Sequence, residues 1–297
     1  MGASQDRPLI SIALCTCNGE AHLKAQMDSL LEQDHPNLEI VVVDDASDDA
    51  TPAIIRDYAQ RHPQIAFHAN EERLGFVENF QKCLRLCQGE FIALCDQDDV
   101  WLPHKISRMV NAIGDAALAY SKVRVVDANG QALDHEHPRR HLLQGRCPLS
   151  LILTNFVTGH ACLIRNSLLD EALPVPLGHI HDQWLAFCAA CSDGGIVQVD
   201  EVLSDYRLHG ANEILGGAQR TRSRGSLKAF ASHPQLCADD AALLEELTGL
   251  MDRRFVLYNF VLHRFLKANP ALLAAYRRPG RVRRKLCMRP PTGEVSS

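Results

Sequence analysis

Four short apolar runs recur in the first hundred residues, at Leu9 to Leu14, Glu39 to Val43, Ile65 to His68 and Phe91 to Cys95. Runs of four to six such residues bounded by polar segments predict buried strands. Between them the apolar positions return at helical spacing. Leu23, Met27, Leu30 and Leu31 share one face, and Phe76, Phe80, Cys83, Leu84 and Cys87 share another. This alternation predicts right-handed βαβ units around a mainly parallel, Rossmann-like sheet. Two acidic clusters, Asp44 to Asp49 and Asp96 to Asp99, directly follow strands and so fall on one sheet edge, facing one cleft.

Beyond Trp101 the pattern changes. Ala117 to Val126 reads as a strand, Asp127-Ala128-Asn129-Gly130 as a turn, and the polar, His-rich stretch Asp134 to His141 as an insertion or mobile loop. Thr158-Gly159-His160 precedes a short strand at Ala161 to Ile164. His181 to Cys191 has helical spacing, and Ile196 to Val199 and Val202 to Tyr206 read as two further strands. Residues 211 to 235 read as a flexible segment, and Ala238 to Leu266 returns to helical spacing. The predicted organisation is an α/β domain over 1–212, followed over 213–297 by a flexible segment, a helical extension and a basic tail.

Composition narrows the classes. The 297 residues are 46% hydrophobic and 23% charged, ordinary for a globular chain. A net charge of −5 gives no reason to expect nucleic acid as a partner. The mean conceals a tail, Arg277 to Arg289, with seven basic residues and no acid. Such a run either stays solvated or docks on anionic lipid. Eleven cysteines, many inside apolar segments and with no secretory signal ahead of them, predict reduced core thiols in a cytoplasmic protein. Cys188 and Cys191 have C-x-x-C spacing without a second pair, which favours buried thiols over zinc. No apolar run approaches the roughly 18 to 20 residues that span a bilayer, so membrane contact would be peripheral, on the inner face of the cytoplasmic membrane.

The run Phe91 to Cys95 ends in Asp96, Asp98 and Asp99. Crowded carboxylates resist ionisation unless a cation compensates, and hard oxygen ligands favour Mg²⁺ or Mn²⁺. An acidic turn capping the helix begun by Pro103 is the competing account. Likewise Ser47, Asp48 and Asp182 can each serve as helix caps, Trp101 can be a core residue, and a lone His209 can be structural.

In order and spacing, Thr16-Cys17-Asn18-Gly19-Glu20, Val43-Asp44-Asp45-Ala46-Ser47, Asp96-Gln97-Asp98-Asp99-Val100-Trp101 and His181-Asp182 together resemble the family 2 inverting glycosyltransferases of GT-A fold. The D-Q-D-D-V-W segment is similar to that of bacterial rhamnosyltransferase-like members, and the resemblance covers about residues 8 to 212. It implies a nucleotide-sugar half at about 8–105 and an acceptor half at about 106–212. Thr16, Asn18, Glu20, Asp44 and Asp45 would line the nucleotide site, with Asp44 accepting the N3–H of a pyrimidine, and Gly75 and Asn79 would lie close by. Asp96 would hold the donor sugar or ribose and Asp98 the divalent cation, while Asp99 orients its neighbours. Trp101, Gly159, His160 and His181 would face the acceptor, with Asp182 as general base. Arg207, in Tyr206-Arg207-Leu208-His209-Gly210-Ala211-Asn212, would pair with the diphosphate, and His209 would be a further metal ligand or diphosphate donor. Cys17 stands where many relatives carry an aromatic residue, which puts base stacking from that position in question.

The resemblance thus implies transfer of a sugar from a nucleoside-diphosphate donor to a glycan or lipid-linked saccharide in bacterial surface-polysaccharide assembly. The donor expected first is dTDP-L-rhamnose, with UDP-hexoses as the alternative. Two rivals remain. One is a haloacid-dehalogenase-like phosphatase with Asp96 as nucleophile and Asp98 as acid/base, although that family places its motif on the opening strand. The other is an inactive nucleotide-sugar-binding protein.

Overall fold

The computed structural model describes residues 7–138, 143–153, 155, 157–209 and 224–250. Two compact units divide the chain, residues 1–236 and 237–297. In the first, the elements run β1 (Ile10–Thr16), α1 (Leu23–Leu31), β2 (Leu38–Asp44), α2 (Thr51–Arg61), β3 (Ile65–Ala69), α3 (Phe76–Leu86) and β4 (Phe91–Cys95). There follow β5 (Val100–Trp101), α4 (Lys105–Ile113), β6 (Leu118–Val126), β7 (Ala132–His137), α5 (Pro148–Leu153), β8 (Cys162–Arg165) and α6 (Leu169–Ala172). The unit closes with α7 (His181–Cys191), β9 (Ile196–Arg207) and α8 (Arg224–Ala231). In the second unit α9 spans Ala238–Leu250, with Asp239 and Asp240 in its first turn complementing the helix dipole.

The strands form one sheet in the order β3-β2-β1-β4-β8-β6-β9-β5, with β7 added on β6. The β3-β2-β1-β4 half is parallel, as the alternating sequence pattern requires, and β6 pairs β9 in parallel. Antiparallel pairings bring in β8, β7 and β5. Every residue of β1 and β4 is buried, because helices cover both faces and leave no room for polar alternation. The chain leaves β1 towards β2 on one side, while β4 flanks β1 on the other. This reversal opens a crevice beyond the C-terminal ends of β1, β2 and β4.

Three sequence expectations change. The strands read at Ile196 and Val202 are one strand, β9, whose pairing with β6 jumps from Val199 to Val202. Asp200 and Glu201 are looped out as a bulge, and their polarity had imitated a strand end. The His-rich stretch read as a loop begins as β7, which pairs Val123 with His137 and Arg124 with Glu136. The segment read as flexible over 211–235 contains α8, while 210–223 lie outside the described residues. The end of the helix read to Leu266, from residue 251 on, and the basic tail also lie outside them. The described cysteines are free thiols, and Cys188 and Cys191 are both buried in α7. Among the described residues no helix is long and apolar enough to cross a membrane.

Candidate active site

Two loops at the sheet edge are knitted together by side chains. The Thr16 hydroxyl donates to Asp44 Oδ1 at 2.7 Å, and the Ser47 hydroxyl and backbone N–H donate to the same carboxylate at 2.6 and 2.9 Å. Asn18 N–H donates to Ser47 Oγ, and Asn18 Oδ1 accepts from Asp48 N–H. Glu20 Oε2 accepts from Ala50 N–H, at the start of α2. Asp44 is therefore buried and saturated within the turn, whereas Asp45 borders the cavity. The Asp45 carboxylate accepts from Asn70 Nδ2 and from the backbone N–H groups of Leu74 and Gly75, between 2.7 and 2.9 Å. Gly75 needs its freedom here, with φ at 86°. Asn79 braces the same corner, donating to Val43 O and accepting from Asn70.

The cavity beyond these loops measures about 270 Å³. It is lined by Thr16, Asp45, Gly75 and Asn79, by Asp96, Gln97 and Asp98, and by Gly159, His181 and Asp182. Asp182 lies in the first turn of α7, where Gln183 N–H donates to its Oδ1 at 2.5 Å. His181 stacks on Phe80 with ring centroids 4.0 Å apart. A Cβ on Gly159 would lie 3.5 Å from both His181 Nε2 and Asp182 Cβ, so glycine leaves that space open.

The three acids differ in surroundings. The Asp96 side chain is 40% exposed, whereas that of Asp99 is fully buried. His160 Nδ1 lies 3.1 Å from Asp99 and 3.5 Å from Asp96. Burial disfavours the Asp96 carboxylate, but the His160 hydrogen bond and charge, with His181 and Lys105, outweigh it and hold its pKa below the ordinary value. Burial pushes Asp98 up, helped by Asp96 and opposed by His209. Burial also raises Asp99 to about 7 against the pull of His160. For His160 burial favours the neutral ring, yet Asp99 and Asp96 overcome it and raise its pKa. Beneath them Lys105 is wholly buried, donates to His160 O at 2.5 Å, lies 3.9 Å from the Trp101 ring centroid, and is lowered by burial to about 8.

His209 Nε2 lies 2.7 Å from Asp98 Oδ2, with the His22 ring tilted by 39° against that of His209 at 4.9 Å between centroids. Asp96, Asp99 and His160 also offer ligand atoms within 4.8 Å of one another. The carboxylate donors suit a divalent cation of the Mg²⁺ or Mn²⁺ kind, and an imidazole nitrogen among them favours Mn²⁺ of the two. Asp98 and His209 fit best, since Asp98 borders the cavity whereas Asp99 and His160 are sealed beneath it.

Several residues stand elsewhere than the sequence led us to expect. Trp101 does not border the cavity: it is 2% exposed, and Lys105 covers its ring. His160 is buried behind the acids and stacks on Tyr206, so it faces no acceptor. The Arg207 guanidinium donates to the carbonyls of Asp98 and Ala128, and its N–H donates to Asp99, so it fastens the acid loop to β9. Asn18 and Glu20 brace loops and are absent from the cavity wall. Arg73, Phe76, Phe80, Gln97 and Tyr206, which do border it, had escaped notice. Phe76 and Phe80 fell on the apolar helical face and read as core. Gln97, placed between two acids, was the one with a legible signal.

Residues 11–173, over half the chain, match the family model described as glycosyl transferase family 2. A mycobacterial relative, the uncharacterized protein Rv1520 of Mycobacterium tuberculosis, is 29% identical over 207 residues, which are 67% of this chain and 59% of that protein. The chain thus spans about three fifths of that relative's length. Among solved structures, S. aureus TarS in complex with UDP-GlcNAc aligns at a TM-score of 0.62 and 19% identity, covering 90% of this chain and 83% of that one. The mannosyltransferase PcManGT of Pyrobaculum calidifontis, in complex with GDP-Man and Mn²⁺, aligns at 0.54 and 19%, covering 95% and 79%. At such identity the structural likeness speaks to the fold, which is GT-A.

Proposed function

The chain belongs to glycosyl transferase family 2, and from that premise we propose that it is a metal-dependent inverting transferase that moves a sugar from a nucleoside diphosphate to an acceptor hydroxyl. The observation that carries this reading is one cavity bordered by Asp45, Asp96, Asp98 and Asp182. Membership sets aside the phosphatase alternative, as does the position of Asp96 after the fourth strand rather than the first.

In this reading the nucleoside lies against Asp45, Gly75 and Asn79, with Thr16 and Asp44 fixing the turn beneath it. Asp45 replaces Asp44 as the acid that meets the base, since Asp45 borders the cavity and Asp44 does not, although each carboxylate accepts three hydrogen bonds. Asp96 orients the sugar or ribose. Asp98 and His209 would hold the cation, which when bound neutralises charge on the departing diphosphate. Asp182 takes the proton of the acceptor hydroxyl. As that oxygen bonds to the anomeric carbon, the carbon–phosphate-oxygen bond breaks on the opposite face and its electron pair leaves with the nucleoside diphosphate. No covalent sugar intermediate is needed, so one base suffices. Gly159 leaves room for the acceptor beside His181.

The complexes of TarS with UDP-GlcNAc and PcManGT with GDP-Man and Mn²⁺ support a nucleotide-sugar donor and a divalent cation. We assign dTDP-L-rhamnose as the first donor to test, on the D-Q-D-D-V-W segment, with UDP-hexoses next. The acceptor is a glycan or lipid-linked saccharide in surface-polysaccharide synthesis, reached by a protein held peripherally at the inner membrane face through its basic tail. The test of the base is Asp182→Asn. It is expected to bind nucleoside diphosphate within about twofold of wild type while transfer falls at least about 100-fold. Transfer at the wild-type rate would overturn the assignment.

A further inference from the structure

Gln97 lies between Asp96 and Asp98, yet both atoms of its amide bond to the backbone of Cys17. Its Oε1 accepts from Cys17 N–H at 2.9 Å, and its Nε2 donates to Cys17 O at 3.0 Å. This pairing engages both backbone groups of Cys17, the first residue beyond the end of β1 at Thr16. Gly19 completes the fit. A Cβ there would lie 2.2 Å from Gln97 Oε1 and 2.5 Å from Cδ, so no side chain can occupy the position while the amide is in place. Gly19 does not need glycine for its backbone, because it is not among the positive-φ residues. The three atoms nearest to such a Cβ all belong to Gln97.

We propose that Gln97 is a positioning residue that clamps the β1–α1 loop, on the nucleotide side of the cavity, to the acid loop that carries Asp96 and Asp98. The inference rests on the nucleotide-sugar reading above. The clamp makes the nucleotide wall and the metal acids one preorganised unit, so releasing it weakens donor binding without removing any group that touches the donor's charges. Gly19 and Gln97 act as a pair. Adding a methyl at 19 displaces the amide, and removing the amide leaves that methyl harmless.

The experiment is a double-mutant cycle on the full chain, read as the dissociation constant for UDP, dTDP or GDP, whichever binds wild type most tightly, in the presence of Mn²⁺. Gln97→Ala and Gly19→Ala are each expected to weaken binding about tenfold, the loss of two hydrogen bonds. The double variant is expected to match Gln97→Ala alone. Thermal unfolding of the nucleotide-free variants separates this from a general loss of fold, and wild-type midpoints with weakened binding support the clamp. Unchanged binding in Gln97→Ala, or a double variant showing the product of the two single losses, overturns it. A wild-type chain that binds none of the three nucleotides overturns both the clamp and the reading beneath it.

Discussion

Ala46 has φ of 52°, the left-handed conformation that costs a residue with a Cβ about 1–2 kcal/mol. It is held there because Asp44 on one side and Ser47 on the other close a turn through two hydrogen bonds. Ala46→Gly is therefore expected to stabilise the protein by about 1 kcal/mol, once the greater freedom of glycine in the unfolded chain is counted. A urea titration with an unchanged slope and a higher midpoint would show it. A lower midpoint would mean that the turn is not strained. At this scale the sequence was legible where chemistry and position coincide. Asp96, Asp98 and Asp182 border the cavity, the first two in the short loop between β4 and β5 and the third in the first turn of α7. It misled where a residue type has two uses. Asp44 and Asp45 are indistinguishable as letters and both accept three internal hydrogen bonds, and only their placement at the end of β2 shows that Asp45 borders the cavity. Arg207 read as a phosphate partner because its carbonyl acceptors, Asp98 O and Ala128 O, belong to backbone and carry no sequence signal.

The helix that presents Asp182 depends on a neighbour that pattern reading passed over. Phe230 of α8 packs edge-on against Phe187 at 4.6 Å and beside Trp184 at 5.7 Å, both in α7. His179, just ahead of α7, meets the same ring at 4.7 Å. The polar Gly/Arg/Ser composition around α8 obscured its short apolar face. Phe230 is 2% exposed, so Phe230→Ala is expected to cost about 3 kcal/mol, read as a lowered denaturation midpoint. Transfer should fall with it if α7 shifts, whereas undiminished stability would mean α8 is dispensable to the unit. By contrast β1 to β4 were legible within two residues at each end, since two-sided burial leaves continuous apolar runs. The bulge in β9 was not, because two exposed acids inside a strand look like its end.

For the whole molecule, the topological reversal at β1 gathers the ends of separate βα units around one cavity. Alternating periodicity foretold that edge, but not the mixed half in which β9, parallel to β6 and antiparallel to β5, brings Tyr206 and His209 back to the acids, so that Asp98 and His209 meet at 2.7 Å. The central claim is that this cavity binds a nucleoside diphosphate together with a divalent cation held by Asp98. Titration calorimetry of the full chain with UDP, dTDP and GDP, with and without Mn²⁺, tests it most directly when repeated on Asp98→Asn. The account predicts that one nucleotide binds wild type at least about tenfold more tightly with Mn²⁺ and that Asp98→Asn abolishes the gain. Binding of none of the three, or a Mn²⁺ gain undiminished in Asp98→Asn, would contradict it.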